Sequence, residues 1–305
     1  MKKKTLKKSI KILSFAVLTA AVLGEFYLRH FQGFCDAPLY IESKKYEYIA
    51  APNQDGKRFG NHYYYNAYSQ RSKEPDSSKK KILGLGDSVL FGGVQSDQDS
   101  IATSLFTNEQ SDYQMLNISA GSWGPDNCAA YLKEKGFFNA KEMFLVVSSH
   151  DAHDNMDFKP TVGVHQSYPD KQYHLALVEL FDRYLKPRVF KYLIHKEDLD
   201  PDQQVLNGIG IQKNGKIFNP GFDELKSMSD SLSIRLIVYL HADKQECLNK
   251  EYNEQGQEII SWAEKNNIKL IKETDYDFDE SDYRDGIHIN NKGQRKLANI
   301  IKGIY

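Results

Sequence analysis

Five short runs of apolar residues, separated by segments with helical spacing, divide the chain from residue 80 onward. This alternation predicts an α/β protein with a parallel sheet, because each parallel strand needs a crossover segment before its neighbour. Among the helical segments, one begins at Pro125 and the last follows Asn291, where apolar residues recur at intervals of three and four. The predicted strands are Ile82–Leu85, Gln114–Ile118, Met143–Val147, Ile234–Leu240 and Ile268–Ile271.

One connection is much longer than the others. Residues 148–233 separate the third predicted strand from the fourth, far more than one crossover needs. We therefore predict an insertion at about residues 152–232, over the active face of the sheet. Inside it, Asn214 and Gly215 predict a two-residue hairpin turn between Ile211 and Ile217. Residues 32–79 are predicted to be an N-terminal extension and linker to a main domain at residues 80–305.

The N-terminus has the pattern of an export segment. Six lysines precede an uncharged apolar run at residues 12–24, and a positive end before an apolar stretch is typical of a signal sequence. Aromatic residues extend the run to Phe31, so residues 1–31 are predicted to be a signal anchor or a cleaved signal peptide. Positive-inside orientation keeps this end in the cytoplasm and exports residues 32–305 to the periplasm or cell surface.

The net charge of −1 is the sum of two opposite parts. Residues 1–31 carry seven basic side chains against one acidic, a net of +6, and the remainder carries 33 basic and 40 acidic, a net of −7. An acidic body argues against a nucleic-acid partner, which requires a surplus of Lys and Arg. The cysteines Cys35, Cys128 and Cys247 are odd in number and widely spaced, so they predict neither a metal site nor a complete disulfide framework.

Candidate chemistry follows the first and fifth strands. Ligands of open α/β sheets bind beyond the carboxyl ends of the strands, and there the sequence has Gly86–Ser88 and, near the C-terminus, Asp285 with His288. A serine needs a base to remove its proton, and a carboxylate three residues before a histidine can fix the imidazole tautomer. Each signal alone also fits a helix cap or a surface turn, but the pair indicates a Ser–His–Asp arrangement.

These motifs resemble those of the SGNH hydrolase (GDSL-like esterase) family. Gly86–Ser88 with Gly92 is similar to its first motif, and Asp285 with His288 is similar to its last. The resemblance implies a three-layer α/β/α fold with a central parallel five-stranded sheet of flavodoxin-like topology. It also implies that Ser88 is the nucleophile and His288 the base, oriented by Asp285, with no cofactor and no metal.

The residues expected to form an oxyanion hole match the family pattern only in part. The resemblance implies a backbone donor after the second strand, where Gly121 is the best match and Gly124 the second, beside the N–H of Ser88. The family then has Gly-x-Asn-Asp after the third strand, whereas this chain has Ser-Ser-His-Asp, which puts His150 at the asparagine position. An imidazole N–H can also stabilise an oxyanion, so His150 is predicted to replace the asparagine amide.

Other interpretations stay open at this stage. His241 follows the fourth strand and is better explained as a satisfied structural histidine, and Leu90 argues against an α/β-hydrolase elbow, which needs glycine there. The three consecutive tyrosines at residues 63–65 fit either sugar stacking or strand alternation. A metal site is the least favoured alternative, with imidazole and carboxylate ligands from His150, Asp151, His153 and Asp154.

The favoured function is an exported serine esterase. By resemblance, its substrate would be an acylated carbohydrate or lipid, such as an O-acetylated envelope or secreted polysaccharide. An O-acyltransferase with the same acyl-enzyme is the first alternative. A catalytically degenerate glycan-binding or assembly protein is the second, motivated by the missing asparagine.

Overall fold

The computed structural model describes residues 2–193, 211, 213 and 215–305. The chain begins with a long helix, α1 (Lys2–Gln32), of which Lys7–Gln32 is long and apolar enough to cross a membrane. Two antiparallel hairpins follow it. They consist of β1 (Tyr40–Ser43) with β2 (Glu47–Ala50) and β3 (Gln54–Arg58) with β4 (Asn61–Tyr65).

A five-stranded parallel sheet forms the centre of the molecule. Its strands lie in the order β6-β5-β7-β8-β9. The first strand, β5, pairs with the edge strand β6; the chain then crosses back over β5 to β7 and continues through β8 to the other edge at β9. All five predicted strands are confirmed, each with its ends shifted by one or two residues. Their bounds are β5 (Lys80–Gly86), β6 (Tyr113–Ser119), β7 (Glu142–Ser148), β8 (Arg235–His241) and β9 (Lys269–Lys272).

Helices cover both faces of the sheet. The strands β5, β7 and β8 are buried along almost their whole length, which requires a layer on each side. The connection from β5 to β6 contains α3, and the connection from β6 to β7 contains α4 and runs in the opposite direction across the sheet. Because both connections are right-handed, α3 and α4 lie on opposite faces. The helices are α2 (Ser88–Phe91), α3 (Ala102–Glu109), α4 (Pro125–Lys135), α5 (Ala176–Glu179), α6 (Lys186–Leu193), α7 (Gly221–Leu232), α8 (Lys244–Asn249), α9 (Glu254–Lys265) and α10 (Asn291–Lys302).

The helices of each layer pack side by side. On one face α10 lies against α3, and on the other α7 lies against α4. Phe222 of α7 stacks close to Trp262 of α9, with ring centroids 5.0 Å apart, so α9 extends the second layer. This is the three-layer α/β/α architecture with flavodoxin-like strand order that the resemblance implies.

The long connection between β7 and β8 contains both inserted chain and an ordinary crossover. The helix α7, at the end of the range assigned to the insertion, packs on α4 as a regular crossover helix. The inserted chain before it includes α5, a π-helical segment at Leu180–Leu185, and α6. Within the predicted Asn-Gly turn, Asn214 lies outside the described residues.

The extension is a structured part of the domain. Tyr63 and Tyr65 of β4 are buried and Tyr64 is partly exposed, so strand alternation, rather than sugar stacking, explains the consecutive tyrosines. Tyr46 packs on Trp123 and Tyr48 packs on Tyr168 of the insertion. These aromatic contacts bring the extension and the insertion together above the carboxyl ends of the central strands.

Candidate active site

The structure brings Ser88, His288 and Asp285 together. Ser88 begins α2 directly after β5, and its Oγ lies 3.0 Å from Nε2 of His288. Nδ1 of the same ring lies 2.9 Å from each carboxylate oxygen of Asp285. The imidazole therefore joins the serine hydroxyl on one side to a carboxylate on the other, which is the arrangement needed to activate a serine.

The loop that carries Asp285 orients its carboxylate. The backbone N–H groups of Ile287 and His288 both donate to Oδ1 of Asp285, at 3.1 and 2.8 Å. Burial would raise the pKa of this carboxyl, but the two N–H donors and the adjacent imidazole lower it below its ordinary value. Asp285 is therefore ionised at neutral pH and can stabilise an imidazolium at His288.

The nucleophile turn is held by side chains from three distant parts of the chain. Helix α2 has only four residues, too few to satisfy its own carbonyl groups. Gln294 donates to the carbonyl of Val89 at 2.9 Å and Asn117 to that of Leu90 at 3.0 Å. Arg71 donates to the carbonyl groups of Phe91, Gly93 and Ser96 at 2.5, 2.6 and 2.8 Å.

Arg71 was missed in the sequence because it lies in the segment assigned to the extension and linker. Its side chain is almost completely buried, and a buried guanidinium with carbonyl partners is a positioning group rather than a surface charge. In the sequence, Arg71 is an arginine just before a polar loop, and this pattern fits a solvated surface arginine equally well.

The loop after β6 presents Gly121 to the site. Its carbonyl accepts hydrogen bonds from the hydroxyl groups of Tyr48 and Tyr168, both at 2.9 Å. A Cβ at residue 121 would lie 2.6 Å from the Tyr168 hydroxyl oxygen, so any other residue would have to displace the Tyr168 side chain. The N–H of Gly124 donates to Asn127 in the cap of α4, which removes Gly124 as an oxyanion donor and leaves Gly121 as the candidate.

His150 lies on a short turn after β7, beside three carboxylates. Its Nε2 lies 4.0 Å from Asp87, 3.9 Å from Asp151 and 3.9 Å from Asp154. Burial lowers the pKa of His150 below its ordinary value, partly opposed by the charge of Asp87. The ring is therefore neutral at neutral pH and has one N–H to donate.

The carboxylates around His150 are not ordinary ion-pair partners. Burial, and then the charges of Asp87 and Asp154, raise the pKa of Asp151 well above its usual range. Burial also raises the pKa of Asp154 to about 7. One oxygen each of Asp87 and Asp151 is buried without a hydrogen-bond partner among the described residues. Protonation of Asp151 or Asp154 would relieve the repulsion.

The four residues of the metal alternative do not converge. Nε2 of His153 pairs with Glu258 of α9 at 3.0 Å, away from the others. Ligand atoms of His150 and Asp151 instead lie within 4.8 Å of those of Asp87. The residues that could hold a cation are thus a different set from the one that the sequence suggested, because Asp87 comes from the distant nucleophile motif.

A fully buried histidine, His241, supports the loop of His288. Nδ1 of His241 lies 2.6 Å from Glu273, and its Nε2 lies 2.7 Å from the carbonyl of Ile287. Burial would lower the pKa of His241, but the Glu273 carboxylate raises it to about 9. The sequence interpretation of His241 as a structural histidine agrees with this environment, and the residue before His288 is held by an imidazolium.

A cavity of about 850 Å³ opens above the serine. Its wall includes the nucleophile, the candidate oxyanion residues and side chains from both the extension and the insertion, so three parts of the chain shape it. Its wall residues include Ser88, Gly121, His150, His288, Ala37, Pro38, Arg58, Ser167, Arg183 and Tyr184.

Comparisons with known proteins give structural similarity alone. No protein-family model and no curated protein matches the chain. Among solved structures, the chain is similar to the lipase/acylhydrolase from Enterococcus faecalis, with 13% identity, a TM-score of 0.42, and coverage of 74% of this chain and 95% of that one. It is also similar to a member of the lipolytic protein G-D-S-L family from Veillonella parvula DSM 2008, with 12% identity, a TM-score of 0.38, and coverage of 74% and 98%.

Proposed function

We propose that this protein is a serine ester hydrolase. The observation that carries the proposal is the continuous contact from Ser88 Oγ through His288 to Asp285, with distances of 3.0 and 2.9 Å. The serine lies on the wall of a cavity large enough for a small organic ester.

The mechanism follows from this geometry. Ser88 Oγ attacks the ester carbonyl carbon while His288 Nε2 takes the hydroxyl proton, and Asp285 stabilises the resulting imidazolium. The N–H groups of Ser88 and Gly121, with the ring of His150, stabilise the oxyanion. His288 then protonates the leaving alcohol, and water, activated by the same imidazole, releases the acid from the acyl-enzyme.

The substrate class is an acylated carbohydrate or lipid outside the cytoplasm. Support for the location comes from the segment Lys7–Gln32, whose mean hydropathy is 1.6 and whose residues are unburied, preceded by a lysine cluster. Such a helix acts as a membrane anchor with the lysines in the cytoplasm. The polar and aromatic wall of the cavity suits a glycan ester better than a long acyl chain.

Acyl transfer to a glycan hydroxyl is the second candidate, since it uses the same acyl-enzyme. The observation that favours it is the size of the cavity, about 850 Å³, which leaves room for an acceptor sugar beside the acyl-enzyme. Product analysis distinguishes the two. With a soluble sugar acceptor present, a hydrolase releases free acid alone, whereas a transferase also forms an acylated sugar.

The test is the variant Ser88→Ala, assayed with a short-chain aryl ester and labelled with a fluorophosphonate. We expect Ser88→Ala to abolish turnover and labelling, while Ser167→Ala, another serine of the cavity wall, keeps both. Turnover that survives Ser88→Ala and is removed by a chelator would instead support a cation at Asp87, His150 and Asp151. No turnover and no labelling of the unaltered chain would favour a glycan-binding protein.

A further inference from the structure

The insertion exposes a continuous row of large apolar side chains. Leu177, Phe181, Leu185 and Val189 follow one another at intervals of four along α5, the π-helical segment and α6, with Leu175 and Val178 beside the first of them. The row therefore lies on one side of this helical region. The exposed fractions of these side chains run from 36% to 59%. A contiguous group of exposed apolar side chains of this kind usually marks a contact surface. We call this surface the insertion face, formed by Leu175, Leu177, Val178, Phe181, Leu185 and Val189.

The insertion face is continuous with the end of α1. Oxygens of Glu25 accept hydrogen bonds from the N–H groups of Ala176 and Leu177, at 2.8 and 2.9 Å. Arg29 donates to the carbonyl of His174 at 2.7 Å. The last turns of α1 therefore dock on the first turn of α5. Beside this junction α1 exposes its own aromatic side chains, Phe26, Tyr27 and Phe31.

The opposite side of the same helical region is fixed to the domain by buried polar contacts. Glu179 accepts from Arg58 at 2.6 Å, from Arg183 at 2.7 Å and from the N–H of Cys35 at 2.6 Å. The Arg58 and Glu179 side chains are only 2% and 1% exposed. Because these contacts orient the helical region, its apolar side chains point away from the sheet and toward the side where α1 leaves the domain.

We propose that the insertion face rests in the interfacial layer of the lipid bilayer that α1 crosses. The proposal rests on the membrane anchor stated under the proposed function. A bilayer fits this face better than a protein partner, because the adjoining helix α1 is long and apolar enough to cross a membrane and exposes most of its apolar side chains. The exposed Lys186 and Arg188 on α6 also suit contact with anionic headgroups.

With the insertion face at the bilayer, the catalytic cavity lies close to the membrane surface. Ala37 and Pro38, a few residues after α1, line the cavity, as do Arg183 and Tyr184 of the insertion. The cavity therefore extends from Ser88 to chain segments next to the membrane. Its substrate would be an ester presented at the membrane surface, such as an acyl group on a lipid-linked or surface-bound glycan, rather than one that diffuses far from the bilayer.

The first experiment measures the depth of residue 181. The full chain is reconstituted into vesicles of phosphatidylcholine and phosphatidylglycerol with brominated acyl chains, which quench nearby tryptophan emission. The native Trp123 and Trp262 are buried and set the baseline. The reporter is Phe181→Trp, and the matched control is Leu232→Trp, which is 45% exposed. Leu232 ends α7 just before β8 begins, so it lies at the amino ends of the strands, whereas the insertion lies at their carboxyl ends.

We expect both variants to sediment with the vesicles, and quenching of the added tryptophan to be at least twofold greater at residue 181 than at residue 232. Equal quenching at the two positions in sedimenting protein would overturn the proposal and indicate that another part of the chain or a second copy covers the face. Failure to sediment would overturn it as well, because the anchor would then be absent.

The second experiment links the face to activity. The double variant Phe181→Ser/Leu185→Ser should hydrolyse a soluble aryl acetate at the unaltered rate, but lose several-fold activity on an aryl acetate whose aryl group is attached to a lipid in the vesicles. Equal losses on both substrates would contradict a membrane role. If the unaltered chain hydrolyses neither ester, the hydrolase proposal fails, whereas the quenching result still decides the membrane surface.

Discussion

Two histidines close to the nucleophile differ in charge because they have different neighbours. His150 has carboxylates only at about 4 Å, and burial lowers its pKa. His241 is in direct contact with Glu273, and its pKa is raised to about 9. At neutral pH the first is a neutral donor on the cavity wall and the second is a buried cation behind the loop of His288.

The role of His150 is tested by two substitutions. If its ring donates to the oxyanion, His150→Ala should lower kcat by about 10²-fold or more, the usual effect of losing one such donor. His150→Asn should keep much of the rate, because an amide N–H can reach the same oxygen. Steady-state kinetics on an aryl ester measure both, and equal activity of all three forms would remove His150 from the mechanism.

The ion pair of His241 predicts a pH-dependent stability. Its folded-state pKa of about 9 is above the ordinary 6.5, so its contribution is complete below pH 6.5 and is lost as pH rises through about 9. At about 1.4 kcal/mol per pKa unit, the loss is roughly 3 kcal/mol at most.

The measurement for His241 is urea unfolding of the full chain in detergent at pH 7 and pH 10. Other groups in the protein also titrate between pH 7 and pH 10, so the free energy of unfolding is compared with that of His241→Gln, whose residue 241 carries no titratable group. The stability difference between unaltered chain and variant should shrink from pH 7 to pH 10. A difference that stays constant or grows would show that His241 is not a buried cation.

At the level of elements, α2 depends on its neighbours. It begins with the Asp87 side chain accepting from the N–H of Val89 at 2.8 Å and ends at Gly92, whose φ of 73° is in the left-handed region. A four-residue helix has no stability of its own. Its position, and therefore that of the Ser88 hydroxyl, is set by the donors from Asn117, Arg71 and α10.

We expect Arg71→Lys to weaken this support. A lysine ammonium cannot reproduce the fixed fork that contacts three carbonyl groups and Gln98. Buried acceptors left unpaired should lower the free energy of unfolding by about 2 kcal/mol and lower kcat as α2 shifts. The control is Arg295→Lys on exposed α10 surface, for which denaturation and kinetics should change little. A stable, fully active Arg71→Lys enzyme would contradict the positioning role.

At the scale of the whole molecule, the extension and the insertion act as one cover on the sheet. Tyr48 of the extension and Tyr168 of the insertion both donate to Gly121. Arg58 of the extension pairs with Glu179 of the insertion in a buried contact. The cavity therefore exists only when these two segments, whose residues Arg58 and Glu179 are 121 positions apart in sequence, are in place together.

Glu179→Gln tests this cover. It would leave the buried guanidinium of Arg58 and the nearby Arg183 without their carboxylate, which should cost about 3 kcal/mol or more of unfolding free energy. The matched control is Glu224→Gln, which removes an exposed pair with Lys133 and should change stability by less than about 1 kcal/mol. Similar losses in the two variants would show that the Arg58–Glu179 pair does not hold the cover together.

The sequence alone was sufficient to predict the five parallel strands and to identify Ser88, Asp285 and His288 as candidate site residues. Apolar strands in a doubly covered sheet are continuous local runs, and ligand-binding residues follow strand ends directly. Both signals are contained in short stretches of chain, so they are visible without any knowledge of what packs against them.

Only the tertiary structure revealed the groups that hold the site. Arg71, Tyr48, Tyr168 and His241 act through contacts with residues 20 to 73 positions away. Asp87 joins His150 and Asp151 for the same reason. Periodicity and motifs describe neighbours along the chain, whereas burial, hydrogen-bond partners and the resulting pKa values depend on which distant segments the fold brings together.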